Sequence, residues 1–376
     1  MNFASSTEQA ELKRSARRFL ASHCGGAKLR AAMESEGGVD ADAWRQAIEL
    51  GWSALAIPPE QGGAGLGWSE VCSLAEEAGR SLACIPFFST VCLGVNALLA
   101  GDAGPAAAYL PRLAAGAARA TLAFAEETQV DSLAIATTAR EDREGFVLSG
   151  TKRFVLDGQG ADVLLVTARA PGTSGEDGVA LFAVDAAAPG VRRQPTATLD
   201  ATRRMSTIEL RDVRVSRSAR TGGAPALRRT LDRAAVALAA EALGGAERCL
   251  EMATEYAKTR VQFDRPIGSF QAIKHKLADL FVAVEPARSA ACWAAWVAAP
   301  GDAAALGVAA ALAKSYCTEA FFRCAAECVQ VHGGIGFTWE HDAHLFLRRA
   351  RGALSLLGSP AHDRERIART ALALGE

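Results

Sequence analysis

Arg260-Val261-Gln262-Phe263-Asp264-Arg265-Pro266-Ile267-Gly268-Ser269-Phe270-Gln271 decides how this chain is read. It joins two helical runs. Before it, Leu250, Ala253 and Ala257 recur at helical spacing, with Glu251, Glu255 and Lys258 between them. After it, Phe270, Ile273, Leu277 and Leu280 mark a second apolar face. Pro266 cannot sit inside a helix, so the second run is expected to start near Gly268–Ser269. Arg260 then stands at a helix end beside a turn. A planar cation with five donors can reach phosphate from there. A lone arginine in that place would more often be a solvated charge.

Outward from this stretch, the 376 residues suffice for two or three domains with a large core. Half are hydrophobic, 22% are charged and the formal net charge is −1. That balance offers nothing to nucleic acid or to an anionic membrane surface, and neither is expected as a partner. The nine cysteines (Cys24, Cys72, Cys84, Cys92, Cys249, Cys292, Cys317, Cys324, Cys328) show no C-x-x-C spacing and lie mostly in apolar helical patterns. Buried reduced thiols are expected, with no disulfide and no metal site. Ser5-Ser6-Thr7, followed by Glu8 and Glu11, reads as a helix start rather than a secretory leader. The longest apolar run, Ala290 to Ala313, is interrupted by Pro300-Gly301-Asp302 and falls short of a membrane span. A cytoplasmic protein is expected.

The chain changes character twice. Up to residue 118 it reads as helices: Leu12, Ala16, Phe19 and Leu20 share one face, Trp44, Ala47 and Ile48 another, and Trp68 to Leu82 a third. Residues 119–220 carry short β-type runs, at Ala120–Ala125, Phe146–Leu148, Phe154–Leu156, Val163–Thr167, Val179–Val184 and Thr207–Leu210. Their spacing suggests a small antiparallel barrel or sandwich. Residues 221–376 return to long helices, including Ala311 to Val331.

The Arg260 stretch resembles R-x-x-F-x-x-P-I-x-x-F-Q, a signature of the acyl-CoA dehydrogenase family. Three further segments resemble that family in the same order. Pro59-Glu60-Gln61-Gly62-Gly63-Ala64-Gly65 is similar to its N-terminal turn, and Leu148-Ser149-Gly150-Thr151-Lys152-Arg153-Phe154-Val155 to its L-x-G-x-K-x-W-I hairpin. Gln330-Val331-His332-Gly333-Gly334-Ile335-Gly336 is similar to its Q-x-x-G-G-x-G run. Alone, such a glycine run after a helix is more often a C-cap. A fourth signature, T-E-P-x-x-G-S-D, survives in Ala123-Phe124-Ala125-Glu126-Glu127-Thr128 only as an acid.

The resemblance implies an α+β, mostly α fold. Its parts are a helical N-terminal domain (1–118), a central β barrel or sandwich (119–220) and a C-terminal four-helix bundle (221–376). It implies FAD held by Arg260, Phe263, Gln271, Gln330, Gly333 and Gly334, with Phe154 in the tryptophan place beside the flavin and Leu156 in a hydroxyl place. The two binding motifs are expected to meet across a subunit interface, in a homo-oligomer or in a heterotetramer with a related subunit. The implied substrate is an acyl-CoA thioester, the implied electron acceptor an electron-transfer flavoprotein. His275 and His332 are expected to be structural or to flank the FAD. Arg348, Arg349 and Arg351 read as a charged helix end, with a CoA or interface contact as the sharper alternative.

The family chemistry needs a carboxylate that removes a proton beside the thioester. Most members place that glutamate after an R-D-A-K helix end. The counterpart run is Arg348-Arg349-Ala350-Arg351, then Ser355-Leu356-Leu357-Gly358-Ser359, so Leu357 stands in the glutamate position. Other members place the base on the helix before R-x-x-F, and the matching position is Ala234. Neither is a base. The family's D-x-x-R on that helix keeps Asp232 but has Ala235 for the arginine. Asp232 is the candidate base, Glu241 the next, and a partner chain the third source. Leu357 would still offer its N–H to a thioester oxygen. The expected activity is α,β-dehydrogenation of a branched, cyclic or steroid-derived thioester. The alternatives are an FAD-holding subunit without its own base, or a flavin-dependent oxidase or monooxygenase of the same fold.

Overall fold

Periodicity and capping account for the order of the elements. In the computed structural model, which describes residues 6–127, 134–299 and 303–373, the first helix α1 (Thr7–His23) starts at a reciprocal cap. The Ser6 hydroxyl accepts from the Gln9 N–H, and the Gln9 side chain returns to the Ser6 N–H. Helices α2 (Ala27–Glu34), α3 (Ala41–Glu49) and α4 (Trp68–Arg80) follow. A buried π-helix (Phe88–Val95) then leads into α5 (Asn96–Ala100) and α6 (Ala103–Ala114). Ser5, Thr128 and Pro300-Gly301-Asp302, used in the sequence reading, lie outside the described residues.

Eight strands come next: β1 (Ala120–Ala123), β2 (Thr138–Glu141), β3 (Gly145–Leu156), β4 (Val163–Arg169), β5 (Val179–Asp185), β6 (Val191–Thr196), β7 (Met205–Ser216) and β8 (Arg220–Gly223). The long helix α7 (Ala224–Thr259) precedes a hairpin of β9 (Val261–Gln262) and β10 (Arg265–Pro266). Helices α8 (Gln271–Val297), α9 (Ala303–His332), α10 (Ala343–Ala353) and α11 (Pro360–Ala373) complete the chain.

These elements form two compact units. The first comprises residues 1–30, 68–83 and 235–376 and is helical. Within it α9 packs against α8, α10 and α11. Helix α7 meets α9 where the Phe321 ring covers Gly245, at 2.5 Å from the position of an added Cβ. It also lies directly on α4. A Cβ on Gly244 would stand 1.8 Å from the Glu76 carbonyl oxygen, and one on Gly79 2.0 Å from that of Glu241. Side chains do not fit there, so glycine sets the helix separation.

The second unit comprises residues 31–67 and 84–234 and holds the sheet, in the order β6-β7-β3-β2-β4-β5-β8, with β1 alongside β4. Most pairs are antiparallel, but β1–β4 and the single β2–β4 pair are parallel. One apolar core draws on both halves: Leu148 and Val155 from β3, Ile208 and Leu210 from β7, Leu164 and Val166 from β4, Phe182 and Val184 from β5. Phe146 on β3 meets Phe182 on β5 edge to face at 5.1 Å, although these strands are not neighbours in the sheet. The sheet therefore wraps its core.

No helix among the described residues is long and apolar enough to cross a membrane. All nine cysteines are free thiols, and only Cys292 is exposed.

Candidate active site

The six residues expected to hold FAD in the first unit all lie at one end of its helices. Helix α7 stops at Thr259 and leaves Arg260 exposed. The hairpin turn that follows has Phe263 at φ +54° and Asp264 at φ +60°. Both central residues are left-handed, as a two-residue turn between paired strands requires. The turn thrusts Phe263 into solvent, 86% exposed, with its edge toward Phe270 at 6.1 Å. Gln271 opens α8, also exposed, with its amide nitrogen 3.4 Å from the His275 ring. Arg260 has no carboxylate partner among the described residues.

At the end of α9, Gln330, Gly333 and Gly334 are exposed. Gly333 has φ +63°, and nothing lies within 4 Å of an added Cβ at either glycine. His332 beside them is buried. Its Nδ1 donates to the Cys328 carbonyl at 2.7 Å, and its ring stacks on Tyr256 at 4.4 Å. Burial works against its proton, but the Cys328 thiol and carbonyl outweigh that and raise its pKa. Tyr256 lies one helical turn before Arg260, so the two motif ends adjoin within one chain, which corrects the expectation that they meet across a subunit interface. Open glycine backbone, a free guanidinium and exposed amides fit a dinucleotide phosphate and adenosine. These residues suit the implied FAD.

In the second unit, Phe154 sits on a bulge. The β3–β7 register shifts between Lys152 and Val155, and Phe154 takes φ +54°. A bulge re-aims a side chain out of strand alternation, and here it leaves Phe154 half-buried. Leu156 is buried, and an aliphatic side chain there offers a flavin no hydrogen bond. Lys152 is wholly buried and binds Glu126, the Thr167 hydroxyl (2.9 Å) and the Phe124 carbonyl (3.4 Å). Burial opposes ionisation of Glu126, yet Lys152 and the Thr137 N–H hold its carboxyl below the usual range. The acid that survives from the fourth signature thus braces the sheet and accepts the Ala136 N–H at 2.6 Å.

Neither base position carries a titratable side chain. Ala234 is buried in α7. Leu357 lies in the turn between α10 and α11, half-buried, at φ +60°. Asp232 is 9% exposed and engaged by its neighbours. Glu241 is buried in an ion pair, with Arg349 Nη1 donating to its Oε1 at 2.8 Å. Of the three arginines read as a charged helix end, Arg349 turns inward to this pair. Arg348 lies over the Trp339 ring at 5.3 Å, and Arg351 is exposed.

Sequence reasoning missed a second buried pair in the first unit, Lys314 on α9 with Asp363 on α11. One signal was present. Lys314 interrupts the run Ala309-Ala310-Ala311-Leu312-Ala313, where a lysine has no apolar role.

Known proteins share this fold. Family models for the acyl-CoA dehydrogenase N-terminal, middle and C-terminal domains match residues 6–117, 121–213 and 221–372. Acyl-CoA dehydrogenase IpdE2 of Mycobacterium tuberculosis is 37% identical over 361 residues, covering 96% of either chain. Among solved structures, a variant of the Tcur3481-Tcur3483 steroid ACAD superposes with a TM-score of 0.90 at 35% identity, over 98% of this chain and 99% of the other. The ChsE4-ChsE5 complex from Mycobacterium tuberculosis gives 0.91 at 29% identity, over 99% of each. With three domains matched in sequence and fold along nearly its full length, the chain belongs to the acyl-CoA dehydrogenase family, whose members are FAD-dependent oxidoreductases of the CH–CH bond beside an acyl-CoA thioester.

Proposed function

We propose that this chain is one subunit of a heteromeric acyl-CoA dehydrogenase acting on a steroid-derived thioester, with the general base supplied by a related subunit. The observation that carries this is the pair of apolar residues, Leu357 and Ala234, at both positions where the family places its glutamate. The reading is supported by relatives described as a steroid ACAD and as a two-protein complex. It adopts the three-domain division at 1–118, 119–220 and 221–376.

Each residue then has a task. Arg260 and the amides of Gly333 and Gly334 bind phosphate oxygens. Phe263, Gln271 and Gln330 would hold the adenosine, and the family resemblance gives Phe154 of the second unit to a flavin ring. Held there, FAD would supply a hydride acceptor for the carbon β to the thioester, with an electron-transfer flavoprotein as the expected electron acceptor. The N–H of Leu357 donates to the thioester oxygen, which acidifies the neighbouring C–H. A carboxylate of the partner takes that proton. The exposed grip at the ends of α7 and α9 supports assembly, since an FAD bound there needs a second chain to cover it.

A second reading keeps the base in this chain as Asp232, favoured by its burial two residues before Ala234. Purification alone and together with a related chain separates the two. The heteromer reading expects turnover only from the pair. Turnover by the lone chain that disappears in Asp232→Asn, by the 10²–10⁴-fold typical of a general base, would replace it with the second reading.

A further inference from the structure

The turn that carries Leu357 is held in a conformation that its own sequence disfavours. Helix α10 frays through Leu354 to Leu356, whose N–H groups reach back to Ala350 and Gly352 at 3.2 Å. Leu357 then adopts φ +60° and Gly358 φ +107°. A branched side chain at positive φ is strained, and such strain persists only where the surroundings impose it. The N–H groups of Leu357 and Gly358 have no hydrogen-bond partner among the described residues. Backbone donors are seldom left so in a folded chain unless a ligand takes them.

What imposes the conformation lies directly behind it. Lys314 Nζ donates to the Gly358 carbonyl and to Asp363 Oδ2, each at 2.6 Å. Lys314 is 0% exposed and Asp363 1%. The Asp363 N–H donates to the Ser359 carbonyl at 3.1 Å, tying the first turn of α11 to the same segment. One ammonium thus joins α9, the turn and α11. A buried ion pair is weak evidence for stability, because apolar residues of similar volume often do as well. Its hydrogen bond to a single backbone carbonyl is more specific. Fixing the Gly358 carbonyl on the lysine side fixes the plane of the Gly358–Ser359 peptide and so anchors the C-terminal side of the turn, one residue from the peptide that carries the Gly358 N–H.

We infer that Lys314 and Asp363 are positioning residues that lock the Leu357–Gly358 turn so that its unpaired N–H groups receive the thioester oxygen. This rests on the reading that a thioester oxygen is bound there. It adds that the chain retains a buried brace for that donor although the carboxylate has gone. Lys314 touches no substrate and acts only through the Gly358 carbonyl.

The test uses the FAD-loaded protein, with whatever related subunit co-purifies. The probe is butyryl-CoA isotopically labelled at the thioester carbonyl, and infrared difference spectroscopy reads its carbonyl stretch. Wild type is expected to lower that stretch on binding. The variants are Lys314→Met and the double change Lys314→Met, Asp363→Leu, which leaves no unpaired buried charge. The double variant is expected to fold and retain FAD and thioester affinity. It should lose the carbonyl shift, and turnover should fall about 10²-fold at unchanged KM, the scale of a donor displaced by about 1 Å. Leu357→Gly, which keeps the N–H and relieves the strain, is expected to keep the shift as long as Lys314 is present. A folded double variant with the full wild-type shift would overturn the inference and leave thioester binding intact. A wild type that binds the probe with no carbonyl shift would overturn the bound-oxygen reading itself.

Discussion

The two functional ends of the first unit differ in what they have kept. At the ends of α7 and α9 every side chain expected to hold FAD is present, and all six residues are exposed. At the turn between α10 and α11 the expected side chain is gone, yet the backbone is strained, its N–H groups have no partner among the described residues, and a fully buried lysine braces it. One end is a surface awaiting a ligand and a second chain. The other is a buried scaffold without its acid. Binding and polarisation are therefore separable from proton removal, and a subunit that pairs with a base-bearing partner can lose the third and keep the first two.

The largest expected effect lies between these two ends. Glu241→Gln leaves Arg349 buried without its charge partner, which should cost about 3–5 kcal/mol of stability in thermal unfolding. If Glu241 were also the base, turnover of the folded protein would collapse as well. Next comes Arg260→Ala. It should weaken FAD by about 1.5–3 kcal/mol in a cofactor titration, the scale of a charge-assisted hydrogen bond, with little change in the apoprotein's melting. An apoprotein that melts much earlier would make Arg260 part of the scaffold and blur the contrast. Smaller again is Asp232→Asn in the complete enzyme. It should leave turnover within about twofold, against the 10²–10⁴-fold loss expected of a base.

The smallest effect is a matter of pH. Glu126 has its carboxyl held below the ordinary value of 4.5, so its contribution to stability is present above that value and lost as pH falls through the lowered one. Acid unfolding of Glu126→Gln should lack this part of the pH dependence. An unchanged acid profile would remove the brace from the second unit.

The same contrast explains what could be read in the sequence. The FAD end was legible because its residues lie in runs with fixed spacing, and Pro266 placed the start of α8 to within a few residues of Gln271. The apolar runs expected at Val163–Thr167 and Val179–Val184 were equally plain and lie in β4 and β5. Two expected runs, Phe146–Leu148 and Phe154–Leu156, proved to be the ends of one strand, β3. Two register shifts, at Leu148/Gly150 and Lys152/Val155, break the alternation that a continuous strand would show. Strands β2, β6 and β8 were not seen, because Thr138–Glu141, Val191–Thr196 and Arg220–Gly223 are largely polar and partly exposed. The brace was hidden for another reason. Lys314 and Asp363 are far apart in sequence, and burial alone turns them from surface charges into a pair. The Leu357 turn carries no side-chain signature at all, since its chemistry is in backbone angles.

The central claim is that this chain binds flavin and thioester but holds no base of its own. Anaerobic titration of the FAD-loaded chain, purified without any related subunit, with a steroid-derived acyl-CoA tests it most directly. The flavin spectrum is expected to shift as the thioester binds, without bleaching, and bleaching is expected to begin only when the base-bearing partner is added. Full bleaching by the lone chain would contradict it.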